Sequence, residues 1–263
     1  MKTLGPKIAE GRTAEIFFWE DDQVVKLYHP GWGRRTVEFE HQQALASQQT
    51  GYRVPQVGEI VEVGERIGIV YQRVDGQTML SKIIEKPFRF PGFSRQMTDL
   101  HLEMHARDAQ NLEPVTERLA GKIQFVKSLD DETKSIILKH LFSLPQDTKL
   151  LHGDFHPDNI LLTENGPVII DWIDAALGHP LADVARTTII GNFGVPPEEK
   201  IGRIVFKAMV NIYLKRYFRQ SAYSRQELEN WLLPVAAGRL SEQIAHETVP
   251  LHAYVLKQLQ QIV

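Results

Sequence analysis

No cysteine occurs in the chain, which excludes disulfides, zinc-thiolate sites and cysteine nucleophiles. No apolar run is long enough to cross a bilayer; the best short run, Val168 to Ile170, has strand length. The opening MKTLGPKIAEGRTAEIF lacks an apolar core of secretory type, so a cytoplasmic location is expected. Charge of one sign is not in excess, the formal net charge being -3 over 263 residues. That balance gives no reason to expect DNA, RNA or an anionic membrane as a partner. Internal repeats and low-complexity tracts are missing as well. What remains is a well-mixed sequence, 43% hydrophobic, that can fill the core of one domain or two small lobes.

The N-terminal part reads as β-rich. Ala14 to Trp19 and Gln23 to Leu27 flank the acidic turn Glu20-Asp21-Asp22, and Val57 to Val63 and Arg66 to Tyr71 flank Gly64, which predicts two hairpins. Between them, residues repeating at three- and four-residue steps predict a helix from Arg34 to Gln49. After Asp75-Gly76 the character changes to helical. Met97 to Arg107, Thr133 to Phe142, Gln226 to Leu233 and Leu251 to Ile262 are helix candidates. Ile201 to Phe218 has the clearest stripe, through Ile201, Val205, Ala208, Met209, Ile212 and Tyr213.

The informative stretch is LLHGDFHPDNILLTENGPVIIDW, Leu150 to Trp172. Its apolar runs, Ile160 to Leu162 and Val168 to Ile170, flank a Glu164-Asn165-Gly166 turn, the pattern of a short β-hairpin. Asp154 and Asn159 precede the first strand, and Asp171 follows the second. A tight hairpin brings its open ends, and with them these three side chains, into one small space. Phosphoryl transfer suits such a cluster. Its transition state spreads negative charge over phosphate oxygens and needs cations and alignment more than covalent catalysis. Asn159 and Asp171 offer the oxygen ligands that Mg2+ prefers, and Asp154 is placed to orient an acceptor hydroxyl or take its proton. A glycosidase carboxylate pair and plain turn capping by Asx side chains are the competing readings.

HGDFHPDN, followed twelve residues after its asparagine by Asp171-Trp172, resembles the catalytic loop and metal-binding aspartate of the aminoglycoside phosphotransferase family, relatives of choline, homoserine and protein kinases. The likeness runs on through Asp174 and Gly178-His179-Pro180-Leu181-Ala182-Asp183-Val184-Ala185-Arg186, covers nearly the whole chain, and weakens after Ile201. It implies an α+β, bilobal protein-kinase-like fold. A small β-rich N-lobe with one main helix, residues 1–75, would bind nucleotide. A larger, mainly helical C-lobe, residues 76–263, would carry catalysis and the acceptor. On the family pattern Asp154 is the base, Asn159 and Asp171 bind the metal, and Asp183 holds the site in shape. His152 and His156 are expected to brace the loop, and Asp174 either reaches a metal or shapes the loop.

The resemblance also implies a strand lysine, a helix glutamate and a hinge. Lys26 interrupts the apolar strand VVKLY, where its ammonium needs a carboxylate and phosphate oxygens to be tolerated, unless the strand is an edge and the lysine reaches solvent. Glu38 and Glu40 point to different faces of the helix; family spacing favours Glu40 as the partner and leaves Glu38 as the alternate. Gly11, Arg12 and Thr13 match the looser phosphate-covering loop of the family. They are not a P-loop, because the lysine and the serine or threonine that must follow are absent. Tyr71-Gln72-Arg73-Val74 resembles the hinge whose backbone pairs with the base, and Gln72 and Val74 are the expected contacts, for ATP or GTP alike.

The expected function is transfer of the γ-phosphoryl group of ATP or GTP, with Mg2+, to a hydroxyl of a small-molecule acceptor. The alternative is a catalytically weak nucleotide-binding regulatory protein. Only eleven residues separate Asp171 from Asp183, too few for the activation segment of a protein kinase. Tyr213, Tyr217, Trp231, Glu227 and Glu229 are read either as acceptor-lining groups or as core aromatics and surface charges. An aromatic cage for a choline-like cation has no demonstrable arrangement around Trp172 and Trp231.

Overall fold

Alternation of side chains along strands decides how the N-terminal region is built. The computed structural model describes residues 4–261. Its first element is β1 (Lys7–Glu10), followed by β2 (Ala14–Glu20) and β3 (Gln23–Tyr28). The helix α1 (Arg34–Gln49) comes next, then β4 (Val57–Val63) and β5 (Arg66–Gln72). These five strands form one antiparallel sheet in the order β1-β2-β3-β5-β4. On β3, Val25 and Leu27 are buried with Trp19 and Val70 on one face. The period of two therefore turns Lys26 and Tyr28 to the opposite face, where Tyr28 packs with Val37 of α1.

The chain leaves this sheet through β6 (Gln77–Thr78) and enters the helical region: α2 (Met79–Glu85), α3 (Phe90–His105), α4 (Val115–Gln124) and α5 (Asp131–Ser143). Next come β7 (Lys149–Leu151), a 3-10 turn at Pro157–Asn159, β8 (Ile160–Thr163), β9 (Gly166–Ile169) and β10 (Ala176–Gly178). Four helices close the chain: α6 (Pro180–Phe193), α7 (Lys200–Gln220), α8 (Arg225–Arg239) and α9 (Ala245–Leu259). Strand β6 pairs with β8, and β8 with β9, so the predicted hairpin forms with Thr163 opposite Gly166. No helix among the described residues is long and apolar enough to cross a membrane.

The helical core gathers α4 to α9 around Trp231, Tyr213 and Tyr217, all three fully buried. Each such side chain contributes roughly 1.5–3 kcal/mol by leaving water. These aromatics belong to the core, and Glu227 closes the capping box of α8 with Ser224. Trp172 is buried against Tyr52 and His152 and donates its indole N–H to Ile169 O at 2.9 Å, so it forms no cage open to a cation.

Helix α1 and both N-lobe hairpins lie where the periodicity puts them. Helices α3 and α8 start or run beyond their predicted spans, and α9 starts earlier, at Ala245. The predicted end of that last helix, Ile262, lies outside the described residues. The stripe on α7 is buried at Met209 and Tyr213 and partly buried at Val205, which packs against the core, whereas Ile201 is exposed.

Candidate active site

The loop between β7 and β8 carries the polar cluster, and its backbone explains its shape. Gly153 has φ +78°, and a Cβ there would lie 2.1 Å from Asp174 O, so only glycine fits between the two loop strands. His152 is fully buried. Its Nδ1 accepts the Asp154 N–H at 3.1 Å, which leaves Nε2 to donate to Ile170 O at 3.0 Å. Asn159 Nδ2 donates to Asp154 O at 3.0 Å, while Ile170 N–H donates to Asn159 O at 3.0 Å. One chain of hydrogen bonds thus joins the backbones of Asp154, Asn159 and Ile170, and Asp171 follows immediately. Asp171 takes a left-handed backbone, φ +64°, a conformation in which strain is stored mostly at functional positions.

Lys26 links this loop to the N-terminal sheet. Its Nζ donates to Glu40 Oε1 at 2.7 Å and to Asp171 Oδ1 at 3.0 Å. Burial alone would lower the lysine, but the charges of Asp171 and Glu40 hold it above its ordinary value. Glu40 is fully buried and also receives hydrogen bonds from the hydroxyls of Tyr28 and Tyr71. Glu38 lies on the outside of α1 near Arg34, at 3.8 Å, and is half exposed. Asp171 is the most open member, its side chain 41% exposed. Oxygen donors are therefore available beside Lys26. One is the second carboxylate oxygen of Asp171; just before β8, Asn159 keeps its amide oxygen while Nδ2 donates to Asp154 O and lies 3.2 Å from His156 Nε2.

Asp154 is held on the other side. Arg186 of α6 donates through one NH2 to Asp154 Oδ1 and through Nε to Gly153 O, both at 3.0 Å. His156 Nδ1 accepts the Asp158 N–H at 3.3 Å, and its Nε2 faces Asp154 Oδ2 at 3.3 Å. Burial would push the Asp154 carboxyl up, but the His156 hydrogen bond and the Arg186 charge carry it well below the carboxylate range. Asp183 underpins the same loop. Its oxygens accept the N–H groups of His152 at 2.6 Å and Gly153 at 3.0 Å, and His101 Nε2 at 3.1 Å. Asp174 takes Lys122 at 2.8 Å and Arg118 at 3.5 Å, which fixes the loop after Asp171.

The two remaining segments sit on the N-lobe. Gly11, Arg12 and Thr13 form the turn between β1 and β2, where Gly11 N–H donates to Ala14 O and Gly11 O faces His29 Nε2 at 3.1 Å. Gln72 ends β5 with its N–H donated to Gln56 O at 2.8 Å, and Val74 lies two residues on, before β6. Neither segment has a hydrogen bond to the cluster itself among the contacts of the described residues.

A model of the phosphotransferase enzyme family matches residues 6–208. The chain belongs to that family. Among curated proteins it is 30% identical over 91 residues to acyl-CoA dehydrogenase family member 11 of Pongo abelii, a match covering 30% of this chain and only 12% of that protein's length. Among solved structures, a thermostable mutant of an aminoglycoside phosphotransferase in complex with ADP and hygromycin B superposes with a TM-score of 0.68. The identity is 14%, over 99% of this chain and 92% of that one. A choline/ethanolamine kinase family protein from Mesorhizobium loti gives 0.59 at 15% identity, over 98% and 87% of the two chains. The chain has the bilobal, protein-kinase-like α+β fold of these structures.

Three participants escaped the sequence reading: Arg186, Gly153 and His101. Arg186 and Gly153 stand inside segments singled out by motif, yet nothing in their spacing marks one as the partner of Asp154 and the other as a left-handed hinge. His101 and His105 follow each other by one helical turn on α3 and both face Asp183, at 3.1 and 3.6 Å. Their four-residue step within a mixed helix was the available signal.

Proposed function

We propose that this phosphotransferase moves the γ-phosphoryl group of ATP to a hydroxyl of a small molecule, with Asp154 as the group that meets that hydroxyl. The observation that carries the reading is the double contact of Lys26 with Glu40 and Asp171, because it sets the hairpin's open end directly beneath the β-sheet. In this reading residues 1–75 bind the nucleotide and 76–263 carry catalysis and the acceptor. Gln72 and Val74 lie at the hinge where backbone groups would meet the base. Gly11, Arg12 and Thr13 cover the phosphates from above, and Lys26 donates to their oxygens from the sheet while Glu40 keeps its ammonium aimed.

Asn159 and Asp171 fit Mg2+: both offer hard oxygen donors at one end of the hairpin. When bound, Mg2+ neutralises charge that develops on the phosphate oxygens. Asp154 accepts the hydrogen bond of the acceptor hydroxyl and aligns it for in-line attack. A carboxylate held this far toward its ionised form orients the hydroxyl first and takes the proton late, which suits a loose transition state. The ADP complex of the structural relative favours ATP over GTP as donor.

A panel of hydroxylated metabolites and antibiotics, screened for acceptor-dependent ADP release with and without Mg2+, tests the reading. At least one acceptor should raise ADP release in the native protein and none in Asp154→Ala. Nucleotide binding without turnover for every acceptor, unchanged by Asp154→Ala, would instead support a regulatory nucleotide-binding protein.

A further inference from the structure

The stretch matched by the family ends at residue 208, yet charged groups beyond it connect to Asp154. Arg186, itself nearly buried, makes its two bonds to Gly153 O and Asp154 Oδ1, and its NH2 also meets Glu242 Oε1 at 2.7 Å. Glu242 sits in the 3-10 turn Leu240–Glu242 after α8 and pairs through Oε2 with Arg239 at 3.1 Å. Arg239 in turn grips the buried Glu247 of α9 through two 2.6 Å bonds. A guanidinium is a rigid planar fork, so two bonds to consecutive residues of one loop fix both the backbone and the carboxylate plane.

We propose that Arg186 is the positioning residue for Asp154, and that Glu242 and Arg239 from the C-terminal segment hold it in register. This rests on the role of Asp154 proposed above. With Oδ1 engaged by Arg186 and approached by Arg239 at 4.0 Å, Oδ2 is the oxygen turned to the acceptor, and His156 Nε2 lies 3.3 Å from it. Arg186 touches neither nucleotide nor acceptor in this scheme. Its effect passes through the orientation and the ionisation of one carboxylate, so removing the fork should cost rate without costing nucleotide affinity. Lysine, a point charge on a flexible stem, can neutralise Asp154 but cannot grip Gly153 O at the same time.

The test combines crystal structures with MgATP titration calorimetry and single-turnover transfer of the γ-phosphoryl group to water, for native protein, Arg186→Met, Arg186→Lys and Glu242→Gln. In Arg186→Met the Asp154 carboxylate should leave its native orientation, with MgATP affinity within about twofold of native and a transfer rate about 100-fold lower, the scale expected for a misplaced reacting group. Arg186→Lys should recover part of the orientation and rate, and Glu242→Gln should show a smaller loss of the same kind. A carboxylate that stays in its native position in Arg186→Met overturns the proposal. So does a fall in thermal stability and MgATP affinity together across all three variants, which would mark the network as scaffold only. Should native protein transfer nothing to water, the acceptor screen still decides the proposed function, and the orientation of Asp154 in the crystal structures still decides the role of Arg186.

Discussion

Lys26 and Arg186 each sit between two carboxylates, but one bridges the lobes and the other lies wholly within the helical region. Lys26 connects β3 to α1 and to the loop after β9, and its Asp171 partner is open to solvent. Arg186 connects the loop between β7 and β8 to the C-terminal segment, and its Glu242 partner is mostly covered. A lysine gives three rotatable donors, which can follow a lobe that moves or a phosphate that arrives. An arginine fork fixes its neighbours in one geometry. On the function proposed above, the molecule combines a compliant contact on the nucleotide side with a rigid one on the acceptor side.

The sharpest way to break this comparison is to remove a group on each side. Asp154→Ala should lower transfer about 10³-fold while MgATP affinity by calorimetry stays at the native value. A parallel loss of affinity would show that the acceptor side is not separate from the nucleotide side. Gly153→Ala places a methyl against Asp174 O in a left-handed backbone, and should cost about 3 kcal/mol of stability in urea denaturation. Lys26→Met, in contrast, should reduce kcat/KM for ATP about 100-fold, with part of the effect in the ATP KM.

A pH dependence sharpens the rigid side. Burial and the His105 charge lower His101 to about 3, against about 6.5 in the unfolded chain. Below pH 6.5 the unfolded chain binds a proton that native His101 refuses, so stability falls as the pH drops from about 6.5 toward 3 by up to about 1.4 kcal/mol per unit. Urea denaturation of the native protein and His101→Gln across that window checks it: the substitution should flatten the slope. The smallest effect belongs to Glu38→Gln, which should change stability by less than about 0.5 kcal/mol and leave kcat unaltered. Glu40→Gln, by the same assays, should change both.

How much of this was legible beforehand follows from the range of each interaction. The N-lobe hairpins and α1 rest on periods of two and three to four residues, which a short window reveals. Lys26 stood out because it breaks an apolar strand, and Asp154, Asn159 and Asp171 because one hairpin gathers them. Glu40 over Glu38 needed family spacing, since both lie on the same helix and only the sheet decides which face is inward. Helix α6 is buried on nearly every side, so it shows no amphipathic stripe to announce it. The link from Asp154 to Arg186 to Glu242 joins three distant parts of the chain, and no local pattern encodes such a pairing.

The most direct measurement is a crystal structure with Mg2+ and a non-hydrolysable ATP analogue. The account predicts a metal about 2.1 Å from oxygens of both Asn159 and Asp171, with Lys26 on the phosphates and Asp154 Oδ2 facing the γ-phosphate across the space for a hydroxyl. A metal bound without Asp171, or a triphosphate lying away from Lys26, would contradict it.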